Sequence, residues 1–264
     1  MLYFYTEKKE RRDKVEELFT CTMDIGEQML LAGAEVHRVE DSIHRMCSAI
    51  GYPRADVFII TSSMVVTVYD DEGHWLTQTR RVSGISTDSE KLHRLNQLSR
   101  DICSRPMTAE EIRRDLTAAV DVPSLPFWAD ILCCAVIAGA FTLFFGGGMA
   151  ETAVSFGVGG AVRLCSLGAE KTVGSRIFLK FLSTFLATAL AFAAVRLHLI
   201  PTVDKIIIGN IMSLIPGIGL TNSLRDLFTG DSIAGILRFT ESALTALAIA
   251  AGYFLVILIG GGLA

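Results

Sequence analysis

Charge is concentrated at one end of this chain. Of its 24 Lys and Arg and 28 Asp and Glu, 37 lie in residues 1–126 and 15 in the 138 residues that follow. Segments so different in composition fold in different solvents, so residues 1–125 are expected to form a soluble domain and residues 126–264 a membrane domain. A net charge of −4 distributed this way leaves no basic stripe for nucleic acid. The N-terminal Met1-Leu2-Tyr3-Phe4-Tyr5 runs straight into Glu7-Lys8-Lys9-Glu10 without the apolar core of a signal peptide. Six cysteines (21, 47, 103, 133, 134, 165) show neither CxxC nor zinc spacing, which points to reduced thiols.

In the charged half, Val15, Leu18, Thr22, Ile25 and Met29 recur at helical spacing, predicting a helix from about Arg11 to Leu31. Val36, Val39, Ile43, Met46, Cys47 and Ile50 repeat the pattern until Gly51-Tyr52-Pro53 ends it. Residues from Asp56 to Tyr69 are rich in Val, Ile and Thr, with polar Ser62-Ser63 between two runs, and Asp70-Asp71-Glu72-Gly73 leads into a third run from His74 to Val82. Three antiparallel strands follow. Ser86–Cys103 and Thr108–Val120 return to helix, the second opening on the capping-box pattern Thr108-Ala109-Glu110-Glu111. The fold class is therefore α+β, helices plus a three-stranded antiparallel sheet.

The second half is expected to be all-α, with about five transmembrane helices. Phe127–Phe145 is apolar except for Asp130 and stops at Gly146-Gly147-Gly148, long enough to span. Met149–Leu164 carries Ala153, Gly157 and Ala161 at four-residue spacing, a face that lets another helix approach closely. Phe178–Leu199 is a third span, and Ser232–Leu258 the last. The fourth, Ile206–Leu220, contains Asn210 and is broken at Pro216, Gly217 and Gly219. In hydrocarbon a broken helix is tolerated where protein or a water-filled cavity satisfies the freed backbone, and such breaks mark transport pathways. Arg163, Lys171, Arg176 and Lys180 join the second span to the third, whereas the triglycine loop carries no charge. By the positive-inside rule, the N-terminal domain and the second loop face the cytoplasm of an inner membrane, and five spans place the C-terminal Gly260-Gly261-Gly262-Leu263-Ala264 on the far side.

Polar groups in and after the break are candidates for substrate contact. Thr221, Asn222 and Ser223 offer hydrogen bonds, and Arg225 and Asp226 a cation and an anion. The alternative is that these five form a cytoplasmic loop. Arg238 and Glu241 stand one turn apart and can pair with each other; a guanidinium there can equally hold a substrate carboxylate, and a carboxylate an amino group or a proton. Asp130 and Glu151 are candidates for a coupling ion or proton. In the first half, His37, Asp41 and His44 share a helix face suited to a metal or to acid-base work, or simply to solvent. No nucleophile pattern or Gly-rich phosphate loop accompanies them, so an enzyme reading lacks parts. No cofactor is indicated.

The segment Gly33–His44 followed by Gly51-Tyr52, together with Pro216-Gly217, Leu220–Asp226, Gly230-Asp231, Gly235, Arg238 and Glu241, resembles the threonine/serine exporter family. The resemblance covers nearly the whole chain. It implies a cytoplasmic domain joined to a helical bundle, and long members fuse a second module of about five spans. A chain ending at Ala264 thus resembles a separate large subunit, with a small membrane subunit on another chain as partner, alongside the lipid bilayer and self-association into an oligomer. It implies as substrate an amino acid or, as in two-subunit succinate exporters, a dicarboxylate. The family's N-terminal domain is also suspected of hydrolase activity, which Glu35, His37, Arg38 and Glu40 would have to carry; a regulatory or scaffold subunit is a further alternative. With no ATP-binding motif, the driving force expected is an ion gradient.

Overall fold

A computed structural model describes residues 2–123, 125–170 and 172–261, and side chains from residue 12 to residue 260. Met1, Lys171 and Gly262-Leu263-Ala264, named above, lie outside the described residues. The chain divides into two compact units, Met1–Pro123 with Thr221–Arg238, and Ser124–Leu220 with Phe239–Ala264.

The first unit is α+β. Helix α1 spans Leu2–Leu31 and α2 Val36–Ala49, strands β1 (Arg54–Ile60), β2 (Ser63–Tyr69) and β3 (Trp75–Arg81) follow, and α3 (Ser89–Ser104) and α4 (Ala109–Val120) complete the N-terminal portion. The sheet is antiparallel in the order β1-β2-β3, with Val57 opposite Val66 and Val66 opposite Gln78. Alternation on β2 sends Met64, Val66 and Val68 into the core, as a strand half-covered by helices requires. There they meet Phe19, Met23 and Met29 of α1, Val39, Ile43 and Met46 of α2, and Leu95 of α3. Between β2 and β3 the Asp70 carboxylate accepts the Glu72 and His74 backbone N–H groups at 2.9 and 2.8 Å. The expected capping box is present at α4, where Thr108 Oγ1 accepts the Glu111 N–H and Glu111 accepts the Thr108 N–H.

Burial pushes the Cys47 thiol and the Tyr52 phenol, whose ordinary values are 9.0 and 10.0, each up to about 12. An unfolded chain releases both protons two to three pH units before the folded one. The stability each contributes is therefore complete below its unfolded value and is lost as pH rises toward about 12, at no more than about 1.4 kcal/mol per pH unit per group. We expect the thermal midpoint of the protein to hold steady up to about pH 9 and then to fall, and Tyr52→Phe to flatten the slope above pH 10. An alkaline limb identical in Tyr52→Phe would contradict this.

The second unit is helical: α5 (Phe127–Phe144), α6 (Met149–Glu170), α7 (Arg176–Arg196), α8 (Asp204–Met212), the first residues of α9 (Gly217–Thr229) and most of α10 (Ser232–Gly261). Helices α5, α6, α7 and α10 are long and apolar enough to cross a membrane, and α8 with α9 forms a pair bent by 56° that makes a fifth crossing if counted as one. Small residues bring α5, α6 and α8 together. A Cβ at Gly159 would lie 2.6 Å from the Ala138 Cβ, and one at Gly209 2.1 Å from Thr142 Oγ1. Helix α6 extends six residues past the expected Leu164, to Glu170, and α7 begins at Arg176, so Arg163, Arg176 and Lys180, assigned to the second loop, lie on helices.

Candidate functional site

Pro216 cannot continue α8, because it lacks a backbone donor and its ring collides with the preceding turn. The chain restarts as α9 at Gly217, and the Leu220 N–H bonds the Pro216 carbonyl at 2.9 Å. Thr221, Asn222, Ser223, Arg225 and Asp226 therefore lie on a helix, which corrects the alternative of a loop at these positions. What carries the helix forward is an inward face: Ser223 and Asp226, three apart, are its buried residues. Gly230, at φ +103°, ends it with a Schellman turn in which the Asp231 N–H bonds the Asp226 carbonyl at 2.9 Å.

Within the first unit this segment meets the turn between α1 and α2, so the two stretches that carry the family resemblance come together. Gly33, at φ +90°, closes α1 in the same way, with the Ala34 N–H on the Met29 carbonyl at 3.0 Å. The turn leaves the Ala34 carbonyl and the Glu35 carboxylate as acceptors. Arg225 Nη1 donates to Glu35 Oε1. Arg238 Nη2 donates to the Ala34 carbonyl at 2.8 Å, and its Nη1 stands 3.5 Å from Asp226 Oδ2. Arg238 is thus the partner of Asp226, not of Glu241 as its helical neighbour; the Glu241 side chain is exposed, whereas Asp226 is 1% and Arg238 8% exposed, and burial makes pairing obligatory.

On α2, His37 and Arg38 are exposed and Glu40 is half-buried. His37 and Glu40 gather with Asp231, their ligand-type atoms all within 4.8 Å of one another. This differs from the face His37, Asp41 and His44: Asp41 is engaged by Arg45 at 2.8 Å, and the third carboxylate comes from the distant Asp231. Burial first, and then Asp231 beside it, push the Glu40 carboxyl above its ordinary value, against a backbone N–H at Ile59 and His37, which hold it down.

Several polar contacts lie within the second unit. Asn210, nearly fully buried, donates from Nδ2 to Ser155 Oγ and to the Ile206 carbonyl, both at 2.9 Å, and Thr142 Oγ1 lies 2.7 Å from Ser155 Oγ. Glu151 accepts the Gly148 N–H at 2.7 Å, capping α6, and the Thr202 hydroxyl at 2.9 Å. Asp130 is bridged by Arg163 at 2.7 Å, and Arg163 also reaches Glu170 at 2.9 Å. Gly219 sits where a Cβ would be 3.1 Å from Ser242 Oγ, while at Gly217 a Cβ would meet open space. Thr142, Ser155, Thr202 and Arg163 escaped sequence reasoning. Thr142 and Ser155 offered only a hydroxyl within an apolar helix, Thr202 a hydroxyl between two helices, and Arg163 was read only for orientation; solvent-facing and buried residues share such signals.

Among the described residues, four apolar helices of spanning length, a bent pair and a charged α+β unit define a multi-pass membrane protein with the architecture of a transporter. A family model described as a threonine/serine exporter, ThrE, matches residues 20–260, and the chain belongs to that family. The family is one of transporters rather than enzymes. Comparison with curated proteins and with solved structures finds no match.

Proposed function

We propose that the chain is the large subunit of an inner-membrane exporter of small carboxylate metabolites, threonine and serine or dicarboxylates such as succinate, driven by an ion gradient. The observation that carries this is Arg225. It is a guanidinium on the helix after the break, its side chain 60% exposed and already holding a carboxylate, that of Glu35. A substrate carboxylate presents the same two oxygens and can take Glu35's place. Arg238 is buried between protein acceptors and serves to fix the segment. Asn210, Thr221, Asn222 and Ser223 supply hydrogen bonds, and Pro216, Gly217 and Gly219 the irregular backbone. Glu241 or Asp226 takes an amino group or a proton, and Asp130 and Glu151 are the groups assigned to a coupling ion.

The N-terminal domain lies in the cytoplasm on this reading, and a small membrane subunit or a second copy completes the pathway. In support, Ala153 and Gly157 of α6 are exposed in the single chain, and a Cβ at Gly157 would meet nothing within 4 Å, so a face suited to close helix packing is unused within the second unit.

The test is efflux of preloaded labelled threonine, serine and succinate from cells expressing this chain with and without the neighbouring small-subunit gene. One of the three should leave faster only when both are present, and Arg225→Lys should cut that rate about tenfold or more while the protein still inserts, since Lys lacks the planar fork. Unchanged efflux in Arg225→Lys would remove Arg225 from the substrate site. Equal retention of all three with both subunits would remove the substrate class.

A further inference from the structure

His37 and Glu40 are three apart on α2, so both project from one face of the helix. Asp231, which follows the α9 turn at Gly230, brings a second carboxylate to the same point from 191 residues further along the chain. One imidazole and two carboxylates are a ligand set for first-row divalent ions, the nitrogen suiting Zn2+ and the oxygens Mn2+. Ligand atoms about 2.0–2.2 Å from a tetrahedral ion stand roughly 3.4 Å apart. The present separations, all within 4.8 Å, close to that by small rotations of exposed or half-buried side chains.

An independent feature points to a cation. Asp231 is half-buried, and its Oδ2 is shielded from solvent with no hydrogen-bond partner among the described residues, a costly arrangement for a carboxylate oxygen. The cluster sets the Asp231 carboxylate beside a second carboxylate, Glu40, and the His37 imidazole; an imidazole donates one N–H when neutral, whereas a cation serves both carboxylates at once.

We propose that His37, Glu40 and Asp231 form a binding site for a divalent transition-metal ion of the Zn2+ or Mn2+ class, joining α2 to the turn between α9 and α10. Water completes the coordination sphere. The ion would hold Asp231 and the first turn of α10 against α2, and with them the positions of Arg225, Asp226 and Arg238 on either side of that turn. Metal availability would then set how firmly this segment is fixed, independently of which substrate the protein carries.

The full chain, purified in mild detergent with its affinity tag removed and stripped by a chelator, is titrated with Zn2+ alone, Mn2+ alone and Co2+ alone. Calorimetry and the visible absorption of Co2+ report binding, and the thermal midpoint reports linkage to folding. One ion per chain should bind saturably and raise the midpoint. His37→Gln and Asp231→Asn should each weaken binding at least about tenfold, and His44→Gln should leave it unchanged. His37 is exposed, so His37→Gln carries the test if Asp231→Asn does not fold. Absence of a saturable site for all three ions, binding unaltered by His37→Gln, or binding abolished by His44→Gln would each overturn the assignment. Because the readout is metal binding, failure here is distinct from failure of the export reading.

Discussion

Arg238→Leu is expected to lower the stability of the first unit by about 3–5 kcal/mol, whereas the double variant Asp226→Leu/Arg238→Leu recovers most of that loss. Removing the guanidinium leaves the Asp226 carboxylate, 1% exposed, without the cation 3.5 Å away. Asp226 Oδ2 has no hydrogen bond among the described residues to fall back on. A domain has about 5–15 kcal/mol in total, so the single change takes much of the margin and should show as poor accumulation in the membrane and a thermal midpoint many degrees lower. The double variant removes both ions and leaves only the Ala34 carbonyl unpaired, at about 1–3 kcal/mol. Thermal midpoints of the three proteins in one detergent measure this. If Arg238→Leu melts with the native protein, the pair contributes nothing and the segment is held by its apolar contacts alone. Efflux by a well-folded double variant then separates structure from transport: retained efflux leaves Arg225 as the substrate cation, and lost efflux returns Arg238 to that role.

Local signals made much of the architecture legible in the sequence. The period-2 pattern of β2, the Asp70 turn, the Thr108 capping box and the long apolar runs each depend on residues close together in the chain, and each appears where expected. Contacts between distant segments were not legible. Arg238 has Glu241 one turn away in sequence, and nothing local reveals that Asp226 lies closer to its guanidinium once α9 folds back. His37 likewise has Asp41 and His44 on its own helix, yet Asp231 is the group that joins it with Glu40. Arg225 and Arg238 are visible in the sequence as cations, but their acceptors, Glu35 and the Ala34 carbonyl, depend on a tertiary turn at Gly33. The extension of α6 to Glu170 was missed for a different reason: an apolar window ends where lipid ends, while a helix continues as long as residues such as Leu167 and Ala169 favour it.

Gly209→Ala should disable the second unit, while Gly157→Ala should leave it intact. A Cβ at Gly209 would stand 2.1 Å from Thr142 Oγ1, 2.8 Å from the Ala138 carbonyl and 2.9 Å from the Thr142 nitrogen. Two of those three atoms are backbone, so a rotamer change at Thr142 cannot relieve the contact and α8 must move away from α5. Overpacking of this kind costs about 1–3 kcal/mol or more. The displacement also pulls Asn210 from Ser155, 2.9 Å away, leaving buried polar groups unsatisfied at about 1–3 kcal/mol more. Thr142→Ala combined with Gly209→Ala should recover little, because the carbonyl contact remains. At Gly157 the added methyl meets open space, and Ala is the better helix former by about 1 kcal/mol. Thermal midpoints in detergent separate the two, and a Gly209→Ala protein as stable as the native one would show that α5 and α8 do not pack through this glycine. A larger side chain, Gly157→Leu, adds a further distinction. If the exposed face of α6 receives a partner helix, Gly157→Leu should keep the native midpoint of the isolated chain but lose co-purification with the proposed small subunit, because a Leu holds the two backbones apart where Gly allows contact. Intact co-purification with Gly157→Leu would move the partner to another face of the second unit.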